Sequence, residues 1–188
     1  MKVIFDYVSN KNQKFYCRDN KKEKELTVVL KNELGKPCDN KAIKTLEKIA
    51  GTESIYLQNL YQFCDGGDFQ LNNKTIGLRI VSIENLESLN EEWKESFSYY
   101  EEEDLYDFQK NGFAFAEIYQ SGNYFVMYNG KVFYSDHDGG DDTKWGNSIE
   151  DFLNIVFSDP AKFLYDAGCY TRYYDGKSDI QYIPEKLI

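Results

Sequence analysis

The sequence predicts an α+β fold with a single antiparallel sheet, whose C-terminal half is a meander packed by helices. Three apolar, aromatic-rich runs at residues 113–119, 123–128 and 131–135 are separated by turn residues, as consecutive antiparallel strands are. Apolar residues at helical spacing lie before and after these runs. Hydrophobic residues make up 41% of the 188 residues, which is enough for one packed core.

The N-terminal region is predicted to form a hairpin. Residues 3–9 and 13–17 alternate or cluster apolar residues on either side of Asn10-Lys11-Asn12, and polar residues between two such runs are typical of a turn. Gly35-Lys36-Pro37 then interrupts any regular element. An element that precedes this tripeptide is therefore expected to end there.

Three helices are predicted between this region and the meander. Asp39 is placed to cap the first, which Gly51 ends, and Thr52 is placed to cap the second. Gly66-Gly67 follows the second helix, where glycine makes a left-handed C-cap favourable. The third helix spans about residues 84–98, and its apolar stripe consists of Leu86, Leu89, Trp93 and Phe97.

The remaining elements are strands and a C-terminal pair of helices. A strand at 76–83 precedes the third helix, and Asn129-Gly130 joins the last two strands of the meander. Asn147 and Glu150 match a capping box, and Asp159-Pro160 begins a short final helix. The buried face of the helix after Asn147 is expected at Ile149, Phe152, Leu153, Val156 and Phe157.

The formal net charge is −10. Affinity for nucleic acid depends on basic residues that neutralise phosphates, so direct binding to DNA or RNA is not expected. Anionic membrane surfaces would repel the chain as well. A basic protein is the natural partner, because opposite fields speed encounter. The alternative is that the acidity only maintains solubility.

The cysteines and the chain start predict a cytoplasmic protein. Cys17, Cys38, Cys64 and Cys169 include no C-x-x-C pair, so free thiols in a reducing compartment are the simplest account. The apolar run at the N-terminus ends at once in Asp6, unlike a signal peptide. No stretch approaches the ~20 apolar residues that a bilayer span needs.

The preferred interaction candidate is the acidic-aromatic segment, residues 99–108. Acidic residues interleaved with aromatic ones supply charge complementarity together with anchors for burial. The alternative is a solvated insertion whose aromatic side chains pack back onto the domain. A second acidic contact is expected in the loop at 136–142. The candidate partner-binding residues are Tyr99, Tyr100, Glu101, Glu102, Glu103, Asp104, Tyr106, Asp107, Asp138, Asp141 and Asp142.

His137 is the only histidine, and it lies in an acidic, glycine-containing loop. Four carboxylates and an imidazole within residues 136–142 raise the alternative of a divalent-cation site or a metal-dependent hydrolase. The EF-hand pattern fails, because Gly140 and Asn147 occupy positions where it requires ligands. No Ser or Cys is indicated as a partner for His137, and phosphate-binding glycine motifs are absent. No catalytic residue, metal ligand or cofactor is therefore assigned.

Four motifs follow one another in a fixed order. A helix ends in Tyr61-Gln62-Phe63-Cys64-Asp65-Gly66-Gly67, and a Phe113-Ala114-Phe115-Ala116 strand opens the meander. The meander ends at Tyr134-Ser135-Asp136-His137-Asp138, and Asn147-Ser148-Ile149-Glu150-Asp151-Phe152-Leu153 follows. In this order they resemble the SUKH superfamily, the Smi/Knr-type proteins, over roughly residues 40–165.

The resemblance implies a domain at 39–188, with residues 1–38 as an N-terminal extension or the domain's first elements. It also implies an antiparallel sheet packed by helices and no shared catalytic centre. Bacterial members are thought to act largely as immunity proteins that bind toxins, often nucleases, and other members are regulatory scaffolds. The expected function is therefore non-enzymatic binding of a partner toxin, by occlusion of its basic active-site face. A regulatory scaffold is the alternative within the same fold.

Overall fold

The structure is a computed structural model that describes residues 1–10, 12–71, 77–137, 143–167, 173–174 and 180–188. Within them the chain forms an α+β fold with two antiparallel sheets. The helices are α1 (Lys2–Ser9), α2 (Asn40–Ala50), α3 (Ser54–Phe63), α4 (Leu86–Glu95), α5 (Asp107–Asn111), α6 (Ile149–Ser158) and α7 (Pro160–Asp166). The strands are β1 (Lys14–Asp19), β2 (Glu25–Val29), β3 (Lys31–Leu34), β4 (Gly67–Leu71), β5 (Leu78–Ile80), β6 (Phe113–Ile118), β7 (Asn123–Tyr128), β8 (Lys131–Ser135), β9 (Lys144–Gly146), β10 (Tyr173–Tyr174) and β11 (Gln181–Leu187).

The prediction of a single sheet was wrong. One sheet has the order β10-β11-β1-β2, and the other runs β3-β4-β5-β6-β7-β8-β9. The chain passes from the first to the second at Leu30, whose amide donates to the carbonyl of Gln13. The first sheet depends on β1 pairing with β11 from the opposite end of the chain. Local sequence patterns carry no signal for a pairing of such long range.

The predicted N-terminal hairpin was also wrong, because Lys2–Ser9 forms helix α1. Ile4 and Tyr7, three residues apart, are buried on one face of this helix, whereas Phe5 is exposed. The ring centroid of Tyr7 lies 4.8 Å from that of Phe157 on α6. Helical and strand periods both fit so short an apolar run, so the packing of α1 against α6 decides between them.

The first 38 residues contribute to the same hydrophobic core as the rest of the chain. Ile4, Phe15 and Cys17 are fully buried in one cluster with residues of the later helices and strands. Strand β1 pairs with β2 and β11, and β3 pairs with β4. This region is therefore integrated into the packing of both sheets.

The first helix of the predicted trio is confirmed, and the bounds of the second differ. The Asp39 carboxylate accepts from the amides of Lys41 and Ala42 at 2.9 and 2.8 Å, and Gly51 ends α2 with φ +53°. Thr52 does not cap α3, because residues 51–53 form a 3₁₀ turn before the helix begins. Gly66 has φ +74°, but it lies in the turn into β4, and α3 ends on extended backbone at Cys64.

Helix α4 and the meander are confirmed. A 3₁₀ turn at Ile83–Asn85 leads into α4, and all four residues of its predicted apolar stripe are buried. Strands β6, β7 and β8 pair consecutively and antiparallel. Asn129 and Gly130 have φ +51° and +73°, as the two-residue turn between β7 and β8 requires.

The C-terminal helices are confirmed, with one correction to a cap. Ser148, not Asn147, occupies the N-cap of α6, and its side chain accepts from the amide of Asp151. The predicted buried face of α6 is buried in full. Asp159 caps α7 by accepting from Lys162, with Pro160 as the first helical residue. None of the helices in the described part of the chain is long and apolar enough to cross a bilayer.

Candidate functional site

The acidic-aromatic segment connects α4 to β6 and is fixed at its C-terminal end. The Phe108 ring is buried and stacks on the ring of Phe133, with centroids 4.9 Å apart and an interplanar angle of 6°. The backbone amide of Tyr106 donates to Oε1 of Gln109 at 2.9 Å, which holds the start of α5. Leu105 packs against the hydrophobic core. The segment is therefore anchored by Leu105 and Phe108.

The rest of this segment faces solvent. Tyr99 is 91% exposed, Tyr100 56% and Tyr106 58%, so of its aromatic residues only Phe108 packs back fully onto the domain. The acidic residues from 101 to 104 are exposed as well. Within the described part of the chain, none of these four carboxylates forms an ion pair. Their charge therefore remains available to an outside group.

A cleft of about 310 Å³, the His137 cleft, adjoins this segment. It brings Tyr100, Asp104 and Tyr106 together with Asp136 and His137 at the end of β8. Its remaining lining consists of Ser96, Phe97, Leu105, Gln109 and Ser135. The structure thus joins the acidic-aromatic segment to the start of the second predicted acidic contact. Of the other predicted contact residues, Tyr99, Glu101, Glu102, Glu103 and Asp107 lie outside this cleft.

His137 is held by hydrogen bonds to Asn123 at the start of β7. Oδ1 of Asn123 lies 3.0 Å from the backbone amide of His137 and 2.6 Å from its Nδ1. Since an amide oxygen only accepts, Nδ1 carries the proton that this bond shares. The carboxylate of Asp136 lies 3.4 Å from the same nitrogen. The imidazole therefore has a fixed orientation at the rim of the cleft.

The predicted contact residues Asp138, Asp141 and Asp142 lie outside the described residues. The metal-site alternative at 136–142 falls largely on the same positions. In the ranges that the structure does describe, no group of three His, Cys, Asp or Glu residues is arranged to hold a metal ion.

A larger cleft of about 710 Å³, the Arg79 cleft, was not predicted from the sequence. Arg79 on β5 contacts Asp68 on β4, with Nε 2.7 Å from Oδ1. Its Nη1 lies 3.6 Å from Oε1 of Glu117 on β6, and its guanidinium carbon lies 3.9 Å from the ring centroid of Tyr119. Burial raises the pKa of Glu117, and the charge of Arg79 opposes this shift.

The sequence signal for this arrangement depends on strand register. Asp68 pairs with Arg79, and Arg79 pairs with Glu117, in neighbouring strands. The three alternating charges therefore form a row across β4, β5 and β6. Their separation in the sequence conceals the row until the pairing of the strands is known.

Cysteine chemistry is unfavourable at the described thiols. Burial raises the pKa of Cys17, Cys38 and Cys64 to about 12 in each case. The thiolate is the nucleophilic form, so these three side chains are protonated and unreactive at neutral pH. The exposed features of the site are instead suited to binding, because they offer aromatic rings and uncompensated carboxylates.

The candidate binding surface is defined by the geometry of the acidic-aromatic segment alone. Comparison with protein-family models and with curated proteins found no match to this chain.

Proposed function

We propose that this chain is a non-enzymatic protein-binding module that neutralises a basic toxin, in the manner of an immunity protein. The observation that carries the proposal is the exposure of Tyr99, Tyr100 and Tyr106 beside carboxylates that have no basic partner in the described part of the chain. Large exposed aromatic residues cost free energy in water, and they are the side chains that most often anchor protein interfaces.

The charge supports the same kind of partner. A net charge of −10 attracts a basic protein over distances of about 8–10 Å at physiological ionic strength. Once the two proteins meet, the tyrosines supply buried area at little cost in side-chain entropy. The charge then accounts for the rate of encounter and the rings for the lifetime of the complex.

The proposed mechanism is occlusion. An enzyme that acts on nucleic acid needs a basic face to bind phosphates, and an acidic surface that docks there excludes the substrate. The module needs no catalytic group, because the free energy of binding to the toxin is enough to keep the substrate out of the toxin's active site. A nuclease domain is therefore the preferred partner, and its basic face is the surface we expect to be covered.

The experiment that tests this proposal is co-expression with a toxin encoded by the adjacent gene. The wild-type chain is expected to restore growth, and the triple variant Tyr99→Ala, Tyr100→Ala, Tyr106→Ala is expected to lose that protection. Tyr165→Ala is the matched control, because this tyrosine on α7 is 65% exposed but lies outside the segment. Protection by the triple variant as good as that by the control would contradict the proposed surface.

Two further outcomes of that experiment bear on the function itself. If the wild-type chain binds the neighbouring protein and that protein is not toxic, the module acts as a regulatory scaffold and the toxin assignment is wrong. If the wild-type chain neither binds nor protects, the proposed function fails. Calorimetry with Ca²⁺, Mg²⁺, Mn²⁺ and Zn²⁺ tests the separate hypothesis of a metal site at residues 136–142. If none of these ions binds at millimolar concentration, that hypothesis is wrong.

A further inference from the structure

We propose that the free edge of β2 pairs with β2 of a second copy of this chain, so that the protein forms a symmetric dimer. Strand β2 is the last strand of the β10-β11-β1-β2 sheet in the part of the chain that the structure describes. A strand at the edge of a sheet presents a row of backbone N–H and C=O groups to which another strand can add. This inference does not depend on the proposed function.

The hydrogen bonds between β1 and β2 show which backbone groups of β2 point outward. At one end of the pair, the amide of Leu30 donates to the carbonyl of Gln13 at 3.0 Å. At the other end, the amide of Asp19 donates to the carbonyl of Lys24 at 3.1 Å. The register between these ends has no shift, and hydrogen-bonded pairs alternate along an antiparallel ladder. Every second residue of β2 therefore bonds to β1, and the residues between them point the other way.

The outward-facing residues are Glu25, Thr27 and Val29. Their backbone N–H and C=O groups point away from β1, and no other described strand pairs with this edge. Their side chains are exposed as well, and Val29 is 58% exposed. A second strand can therefore approach this edge without displacing another part of the described chain.

An antiparallel pair centred on Thr27 uses the whole of this edge. In that register Glu25 lies opposite Val29 of the second copy, and Thr27 lies opposite its own counterpart. All three outward-facing residues then form hydrogen-bonded pairs, and threonine pairs across strands add to the stability. The two-fold axis makes the interface isologous, as in the dimers that are commonest among homo-oligomers.

The core-facing side of β2 continues across the same interface. Val28 pairs with Phe15 of β1 and is buried. Leu26 pairs with Cys17 of β1 and is only partly buried, although it packs against the hydrophobic core. The register centred on Thr27 sets Leu26 against Val28 of the second copy, in a non-hydrogen-bonded pair, where side chains lie closest. The exposed part of Leu26 thus loses contact with water, which favours association.

Charge favours a second copy over a basic partner at this edge. Residues 13–34 contain six lysines and arginines and four acidic residues, in a chain whose net charge is −10. A basic protein is therefore attracted to the acidic-aromatic segment and not to β2. Two copies of the chain meet here through a region that is close to neutral. At physiological ionic strength the charges elsewhere on the two copies are screened beyond about 8 Å.

The test combines sedimentation velocity with hydrogen exchange measured by NMR, on the full-length chain from about 10 µM to about 1 mM. The mass is expected to rise from that of a monomer to that of a dimer. The amides of Glu25, Thr27 and Val29 are expected to exchange rapidly in the monomer and slowly in the dimer, whereas those of Leu26 and Val28 stay protected in both. A monomer at about 1 mM, or a dimer whose outward-facing amides still exchange rapidly, would overturn the proposal.

Substitutions at Thr27 test the register. Proline is tolerated in an edge strand where the missing N–H would face solvent, so Thr27→Pro is expected to fold. Loss of its amide donor in both copies is expected to weaken dimerisation by roughly tenfold. Thr27→Lys and Thr27→Glu each place like charges opposite one another and are expected to weaken it by roughly two- to fivefold. A mixture of the lysine and glutamate variants is expected to form a heterodimer that recovers this loss.

Thr45→Lys and Thr45→Glu are the matched controls, because Thr45 is exposed on α2 and not on β2. They are expected to dimerise like wild type. Equal losses at Thr27 and Thr45, or a mixture of the Thr27 charge variants that associates no better than either alone, would overturn the proposal, and this holds even if Thr27→Pro fails to fold. If the chain stays monomeric and its outward-facing amides become protected only when the toxin is added, the edge binds the toxin and the dimer is wrong.

Discussion

The indole Nε1 of Trp93 donates a hydrogen bond of 3.0 Å to Oγ of Ser135, which joins α4 to the end of β8. Both residues are buried, and the Trp93 ring contacts the edge of Phe97 with centroids 5.3 Å apart. Phe97 and Ser135 line the base of the His137 cleft. A single buried hydrogen bond thus connects the core to the position of the candidate binding site.

Removal of this bond is expected to destabilise the protein. In Ser135→Ala the buried indole N–H loses its acceptor, and an unsatisfied buried donor costs about 1–3 kcal/mol. The free energy of unfolding, measured by urea denaturation, is expected to fall by that amount. Ser98→Ala is the control, because the Ser98 hydroxyl is exposed and donates to the carbonyl of Glu95, the last residue of α4. Similar stability of the two variants would show that the Trp93–Ser135 bond contributes little.

Substitution at the hairpin turn separates backbone strain from steric contact. Gly130 and Gly122 have φ +73° and +79°. Alanine at either position must adopt a left-handed backbone conformation, which lowers stability by about 1–2 kcal/mol. A Cβ on Gly130 would also lie 2.8 Å from Cε1 of Tyr56, whereas a Cβ on Gly122 meets nothing nearer than 3.4 Å. Gly130→Ala is therefore expected to lower the thermal midpoint more than Gly122→Ala.

A third variant identifies the cause of this difference. In a Tyr56→Ala background the extra loss at Gly130 is expected to disappear, because the ring that the new methyl group would meet is gone. If the two glycine variants still differ in thermal midpoint in this background, the difference is caused by the backbone of the turn and not by contact with the Tyr56 ring. Thermal unfolding is monitored by circular dichroism for six proteins, which are wild type, Tyr56→Ala and each of the two glycine variants in both backgrounds.

The N-cap of α6 is assigned by comparison of two neighbouring alanine variants. Ser148→Ala removes the acceptor of the Asp151 amide and is expected to cost about 1 kcal/mol of stability, a typical value for a cap. Asn147→Ala removes only exposed contacts of its side chain to Asp151 and Lys144 and is expected to cost less. The reverse order in urea denaturation would restore Asn147 as the cap.

Glu117 is expected to make stability fall with rising pH. Its folded-state pKa is raised above the ordinary value of 4.5, mainly by burial. Between 4.5 and the raised value the folded state binds the proton more tightly than the unfolded state, so stability decreases as pH increases through this window. The Glu117→Gln side chain has no proton to lose. The stability of wild type minus that of Glu117→Gln is therefore expected to decline across this window.

Urea denaturation at a series of pH values from about 4 to 8 measures this difference. Glu102→Gln controls for the change in net charge, because its side chain lies on the exposed acidic-aromatic segment. A difference between wild type and Glu117→Gln that rises with pH would mean that Arg79, rather than burial, dominates the environment of Glu117.

Several elements were predictable from local sequence because their causes are local. Asn129-Gly130 predicts a hairpin since few other pairs adopt positive φ at both positions, and Asp39 predicts a helix start since its carboxylate reaches amides two and three residues on. The charges and rings of the acidic-aromatic segment were also visible. Their exposure was not, because it depends on whether Phe108 or its neighbours pack on Phe133.

Other features lay beyond local patterns. The run that forms α1 fits two periodicities, and contact between Tyr7 and Phe157 selects the helix. The row formed by Asp68, Arg79 and Glu117 exists only once three strands are in register. Non-local contacts of this kind follow from the packing of the whole chain, and no short window of sequence contains them.

The sequence by itself determined the acidic character, the meander, the presence of helices α2, α3, α4, α6 and α7, and the cluster of tyrosines and carboxylates that suggests a binding surface. These properties follow from composition, turn chemistry and periodicity, which act within a few residues. Only the tertiary structure decided that there are two sheets, and that Asp104 and Asp136 share one cleft whose base depends on the bond between Trp93 and Ser135. The physical reason is that strand pairing and burial bring distant residues together, and the free energy of those contacts belongs to the fold as a whole.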